Sequence, residues 1–178
     1  MINTTSRIRQ LALAAVTMGF LASPREAGAI ERTGFIAGLG VGGGKITCDG
    51  CESLSGPAIA FHLGGMITDR AALVFDGSGV AKYEEGTTLT SVLATAALQY
   101  WVSPKVWVKG GVGAGQLGVS GKGVSETSDM GLGFLGGIGI EAIQKKRFTI
   151  DLQMRVTTAK IEGERATNVF ALVGFNFY

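Results

Sequence analysis

Residues 167–178 read T-N-V-F-A-L-V-G-F-N-F-Y. Side chains alternate across a strand with a period of two, so Val169, Ala171, Val173, Phe175 and Phe177 share one face. The opposite face carries Asn168, Phe170, Leu172, Gly174, Asn176 and Tyr178 and is mixed. A strand with one wholly apolar face needs an apolar environment along its full length. That environment is either a protein core or a bilayer.

The same alternation recurs upstream, in segments of about ten to fourteen residues. Phe35, Ala37, Leu39 and Val41 oppose Ile36, Gly38, Gly40 and Gly42; Ile59, Phe61, Leu63 and Ile67 oppose Ala58, Ala60, His62, Gly64 and Met66. Leu73, Phe75, Gly77, Gly79, Ala81 and Tyr83 oppose Val74, Asp76, Ser78 and Lys82. Val92, Ala94, Ala96, Leu98 and Tyr100 oppose Ser91, Leu93, Thr95 and Gln99. Val106, Val108, Val112 and Ala114 oppose Trp107, Lys109 and several glycines, and Met130, Leu132, Phe134, Ile138 and Ile140 oppose Gly131, Gly133, Leu135, Gly137, Gly139 and Glu141. Phe148, Ile150, Leu152, Met154 and Val156 alternate with Thr149, Asp151, Gln153, Arg155 and Thr157. With the final segment these predict eight antiparallel strands in up-and-down order. Short turns fall at 68–70, 103–105 and 144–147, and generally longer polar connections at 45–56, 84–86, 120–129 and 162–165. A helical reading fails, because glycine and β-branched residues interrupt every window.

Residues 1–29 have the form of a secretory signal peptide. Arg7 and Arg9 precede an apolar run over 11–22, and Ala27-Gly28-Ala29 is a small-x-small cleavage site. The run is shorter than the roughly 20 residues that a spanning helix needs. Of 16 basic and 14 acidic residues, cleavage removes three (Arg7, Arg9, Arg25) and one (Glu26), leaving 13 of each. A neutral mature chain gives no sign of a nucleic-acid partner. Residues 30–178 are enough for one domain. The 29 glycines lack a Gly-X-Y period, and an apolar fraction of 46% argues against disorder.

A soluble barrel points its apolar face inward and a membrane barrel points it outward. Alternation cannot separate them, so three other observations decide. The more polar face is rich in glycine, which suits a crowded interior and makes a poor solvent face. Aromatics lie near strand ends, at Tyr83, Tyr100, Trp101, Trp107, Phe148, Phe175 and Phe177, as interfacial girdles require. The segments also match a tilted membrane crossing in length. The expected fold is all-β, an eight-stranded antiparallel up-and-down transmembrane β-barrel.

These features resemble the small eight-stranded bacterial outer-membrane barrels of the OmpA and OmpX type, over nearly the whole mature chain. The resemblance implies location in the outer membrane, contact with its lipids and lipopolysaccharide, and insertion by the outer-membrane assembly machinery. It also implies that Gly174, Phe175, Phe177 and Tyr178 form the C-terminal assembly signal, with either Phe177 or Tyr178 as its terminal residue. The periplasmic peptidoglycan-binding domain of longer members is absent from the sequence.

The predicted lumenal face gathers His62, Asp76, Lys82, Lys109, Glu141, Asp151 and Arg155. Charges in a narrow interior must be paired, so these residues predict a polar network filling the barrel. An enzyme would instead set His62 beside Ser78 or Ser91 as a lipid-acting hydrolase, yet no G-x-S-x-G elbow or metal-ligand cluster accompanies them. A narrow porin-like channel is the third possibility, and an eight-stranded interior is just filled by side chains. The leading expectation is a structural or surface-interaction barrel with no open channel, catalytic residue, metal or cofactor. Its recognition function would lie in the loops, with a ligand the sequence does not define.

Cys48 and Cys51 stand as C-D-G-C in the first long connection. In an exported chain this spacing predicts a small local disulfide. The two ends of the barrel also differ in charge. The short turns hold Asp69, Arg70, Lys105, Lys145, Lys146 and Arg147. The other connections hold Asp49, Glu52, Glu84, Glu85, Glu126, Asp129, Glu162 and Glu164 against Lys45, Lys122 and Arg165. Both termini share the end with the short turns, which is expected to be periplasmic.

Overall fold

The computed structural model describes residue 30 and residues 32–48, 53–84, 86–121, 123–161 and 163–178. The expected signal peptide, at 1–29, lies outside the described residues. Nine strands follow: β1 (Phe35–Cys48), β2 (Leu54–Thr68), β3 (Ala71–Glu84), β4 (Thr87–Trp101), β5 (Val106–Gly121), β6 (Val124–Thr127), β7 (Gly131–Lys145), β8 (Phe148–Ile161) and β9 (Glu164–Phe177). All except β6 form the wall. Each wall strand pairs antiparallel with its neighbours, and β1 closes on β9 from Ala37↔Phe177 to Cys48↔Ala166. No wall strand has a free edge, so the backbone satisfies itself without water, as a bilayer crossing demands.

The wall strands are 14 to 16 residues long. A tilted crossing takes only about 9–11 residues, so they run on past the membrane. The chain spends these extra residues on strand where the sequence suggested loop. The expected loop at 120–129 is a hairpin, with β6 pairing the end of β5 from Gly121↔Val124 to Gly118↔Thr127. Of the expected loop at 45–56, residues 45–48 and 54–56 are strand, and 49–52 lie outside the described residues. Two further connections are two-residue turns, after Glu84 and after Ile161, each with a glycine at positive φ (Gly86 at 82°, Gly163 at 92°). Only glycine takes that conformation without strain. The connections at this end are therefore mostly tight hairpins, and the contrast between short turns and long loops is overturned.

Outward positions carry Leu39, Val41, Ile59, Leu63, Leu73, Phe75, Leu98, Val112, Phe134, Ile138, Leu152, Val156, Val169 and Val173, all exposed. Inward positions are buried. This is the reverse of a soluble barrel and makes the outer wall a lipid-facing band. Phe35, Tyr100, Phe148, Phe175 and Phe177 stand on the outside toward the short turns, with Phe148 and Phe177 packed at 6.5 Å between ring centroids. Trp101 and Trp107 do not join this girdle. They are 1% and 0% exposed and fill the lumen, because their strand positions have lumenal parity and their N–H groups find carboxylates there.

Candidate functional site

The lumen is built in layers. At the short-turn end, Glu141 collects four donors: Arg32 Nη2 at 2.7 Å, Trp101 Nε1 at 2.7 Å, Gln144 Nε2 at 2.7 Å and the Tyr178 hydroxyl at 3.0 Å. A register shift in β7 between Glu141 and Ile143 allows both Ile140 and Ile143 to face outward while Glu141 turns in. Arg32 precedes β1 and reaches back under the barrel. Its guanidinium also donates to Pro104 O at 2.7 Å and lies 4.9 Å from the Trp101 ring centroid and 5.8 Å from that of Tyr178. Burial, then the neighbouring Glu141 carboxylate, raises the Tyr178 phenol above its ordinary range and keeps it a donor.

The next layer centres on Asp151, which accepts from Trp107 Nε1 at 2.8 Å, Gln153 Nε2 at 2.7 Å and Asn176 Nδ2 at 3.0 Å. Gln153 passes the network on by accepting from Arg155 Nε at 2.9 Å. Arg155 Nη1 reaches both oxygens of Asp76, at 2.9 and 3.0 Å, and Lys109 Nζ donates to Asp76 Oδ2 at 2.8 Å. Two carboxylates and two cations thus cancel in formal charge within one connected cluster. Toward the hairpins, Asn168 Nδ2 donates to Ser91 Oγ at 2.9 Å and Thr157 Oγ1 at 3.0 Å. Ile46, Ala58, Ala60, Val80, Phe170 and Leu172 form an apolar cluster beside that layer.

Glycine supplies the room. Trp107 lies opposite Gly139, His62 opposite Gly38 and Asp151 opposite Gly174. A Cβ at any of these glycines would run into the facing side chain.

The structure brings Asp76, Lys109, Asp151 and Arg155 together and puts Glu141 in a separate plug. His62 is buried on the lumenal face, but its Nε2 has no hydrogen-bond partner among the described residues. Lys82 shares the lumenal parity yet is only half-buried and makes no ion pair within 4 Å among the described residues. Lys82 thus stands apart from the predicted polar network, whereas His62 lines it as the cross-strand neighbour of Asp76. Sequence reasoning missed Arg32, Gln153 and the indoles as members. At the C-terminus, Gly174 faces the Asp151 layer, Phe175 and Phe177 face outward, and Tyr178 turns under the lumen. Cys48 ends β1 and is not a free thiol, while Cys51 lies outside the described residues.

A closed antiparallel barrel, apolar outside and charged within, defines a transmembrane β-barrel. The chain belongs to the family described as outer membrane protein beta-barrel domain, whose model matches residues 11–177, and its place is the bacterial outer membrane. Among solved structures it is similar to Ail, the attachment invasion locus protein of Yersinia pestis, at 16% identity and a TM-score of 0.58, covering 82% of this chain and 98% of that one. It is equally similar to Neisserial surface protein A, at 17% identity and a TM-score of 0.58, covering 82% and 97%. Ail in complex with the heparin analogue sucrose octasulfate matches at 14% identity and a TM-score of 0.54, covering 82% and 96%. At these identities the likeness is one of fold. No curated protein matches the chain.

Proposed function

We propose that this protein is a closed outer-membrane barrel with a structural or surface-interaction role, one that neither conducts solutes nor catalyses a reaction. The observation that carries this reading is the lumenal crossing from Asp76 on β3 to Arg155 on β8, strands on opposite sides of the barrel. Ser91 on β4 and Asn168 on β9 make a second crossing. A solute would have to break both, and the buried ion pair alone resists by several kcal/mol. The hydrolase alternative lacks a paired base and nucleophile: His62 Nε2 and Ser78 Oγ have no partner among the described residues, and Ser91 Oγ accepts from Asn168.

Recognition then belongs to the hairpin end, which we place outside the cell, with the short basic turns in the periplasm. Lys45, Lys160 and Arg165 alternate there with Glu84, Glu126 and Glu164 as exposed charges. Ail was solved with a heparin analogue, which makes a sulfated polysaccharide the first ligand class to test. Lipopolysaccharide and the other outer-membrane lipids surround the wall, and the assembly machinery reads β9 with Phe177 as its last outward residue. A Cys48–Cys51 bridge would staple the first hairpin. The deciding experiment is planar-bilayer recording of the refolded protein: a silent membrane is expected, and discrete conductance steps would replace this reading with the porin-like one.

A further inference from the structure

We propose that the outer wall of β2 to β5 holds a built seat for one acyl chain of a bilayer lipid. Outward residues on two neighbouring strands are reduced there to a floor of methyl groups. Ala94 on β4 pairs with Ala114 on β5, and on β3 the Phe61 ring lies over Gly77 and forms one side of the groove. Ile59, Phe61 and Val92 stand beside this floor, all exposed, and Met130 overhangs it at 75% exposure. The resulting groove encloses about 370 Å³ with an almost wholly apolar lining. A second depression of about 350 Å³ continues it past Gly79 toward Pro57 and Thr90. Each is of the size that holds small ligands, roughly 300–1,000 Å³.

The occupant follows from position. The groove opens through the lipid-facing band, so it is continuous with the barrel's interface with the bilayer and is filled from that side. Over a flat stretch of wall a fluid chain has contacts on one side only. Between standing side chains and a floor of methyl groups it gains close contact on three, and dispersion attraction adds up over those contacts. The groove lies in the half of the wall nearer the hairpins. Its polar edge is formed by Gln116, which donates to Ser128 O at 3.0 Å, and Thr90, which donates to Gly118 O at 3.2 Å. A headgroup therefore belongs on that side, with the chain running down from it. This inference rests on the lipid-facing wall and is independent of any ligand at the rim or of conductance.

Native mass spectrometry of the full-length exported protein tests it, after release from micelles doped with dimyristoylphosphatidylethanolamine. Ala94→Phe fills the floor from an outward position, and Ala96→Phe is an outward control on the same strand outside the groove. Wild type and Ala96→Phe are expected to keep one lipid, with retention at least about fivefold lower in Ala94→Phe. If Ala94→Phe lacks the heat-modifiable band of a folded barrel, Ala114→Leu takes its place and must show the same loss. Equal retention in wild type and the filled variant, equal loss in the control, or no lipid on wild type would overturn the proposal. So would a dimer that the filled variant dissociates, because the groove would then seat a second copy.

Discussion

Arg155 Nη1 sits 2.9 Å from Asp76 Oδ1 although the two residues are 79 positions apart and stand on opposite walls. The side chains meet across the axis, Arg155 from between Gly137 on β7 and Phe170 on β9, and Asp76 from between His62 on β2 and Thr95 on β4. Removing one partner of such a pair strands a charge in a medium that cannot solvate it.

Arg155→Ala should therefore cost roughly 3 to 5 kcal/mol of stability, read as a lowered urea midpoint in lipid vesicles. Asp76→Ala should cost more, since it leaves both Lys109 and Arg155 without their carboxylate. An unchanged midpoint for either would show that the lumen is hydrated enough to solvate them.

Arg32→Ala removes one of the four donors to Glu141 and both cation–π contacts at the plug. The other three donors remain, so the loss should be about 1.5 to 3 kcal/mol, the range for a hydrogen bond to a charged group. Glu141→Ala should exceed it, because it leaves the Arg32 charge without its counter-ion and the Trp101 N–H without its acceptor. Thermal shift of the heat-modifiable band gives the comparison.

Tyr178 links stability to alkaline pH. Its phenol is held above the ordinary value of about 10, so the folded state resists its ionisation. The contribution is complete below that ordinary value and is lost as pH climbs through the raised one. Tyr178→Phe should remove this alkaline limb in pH-dependent unfolding, with a loss of about 1.5 to 3 kcal/mol at neutral pH for the hydrogen bond to Glu141. It should leave membrane insertion intact, whereas Phe177→Ala should slow insertion.

Cys48 and Cys51 should resist alkylation without reductant in the exported protein and accept two labels after reduction. Quantitative labelling beforehand would exclude the bridge.

An epitope inserted at Lys145 should be silent on intact cells, and one in the β5–β6 hairpin should react with antibody. The opposite result would invert the orientation.

The strands were legible because lipid outside and crowding inside impose the same two-residue period on every segment. Parity also found Asp76, Lys109, Asp151 and Arg155, but not which of them meet. Contacts across a barrel depend on strand tilt and stagger, and no local pattern records these. Arg32 was invisible for a different reason, since it precedes the first alternating segment. The misplacement of Trp107 was avoidable: Val106 and Val108 flank it on the outward face, which assigns the indole inward. The β5–β6 hairpin also had a signal, the Lys122-Gly123 pair between short alternating runs, obscured by the polar character of V-S-E-T.

The bridge from β3 to β8 has a consequence for how the barrel shuts. A slip of one residue at the β1–β9 seam exchanges the two faces of the slipped strands. On β8 it would turn Arg155 and Asp151 toward lipid, where an arginine at mid-depth costs about 2 to 4 kcal/mol. A one-residue offset is therefore disfavoured by charge as well as by burial. In the correct offset Arg155 finds Asp76 waiting on a strand made much earlier in the chain. The lumenal charges thus act as a checksum on closure, read only when the last strand arrives.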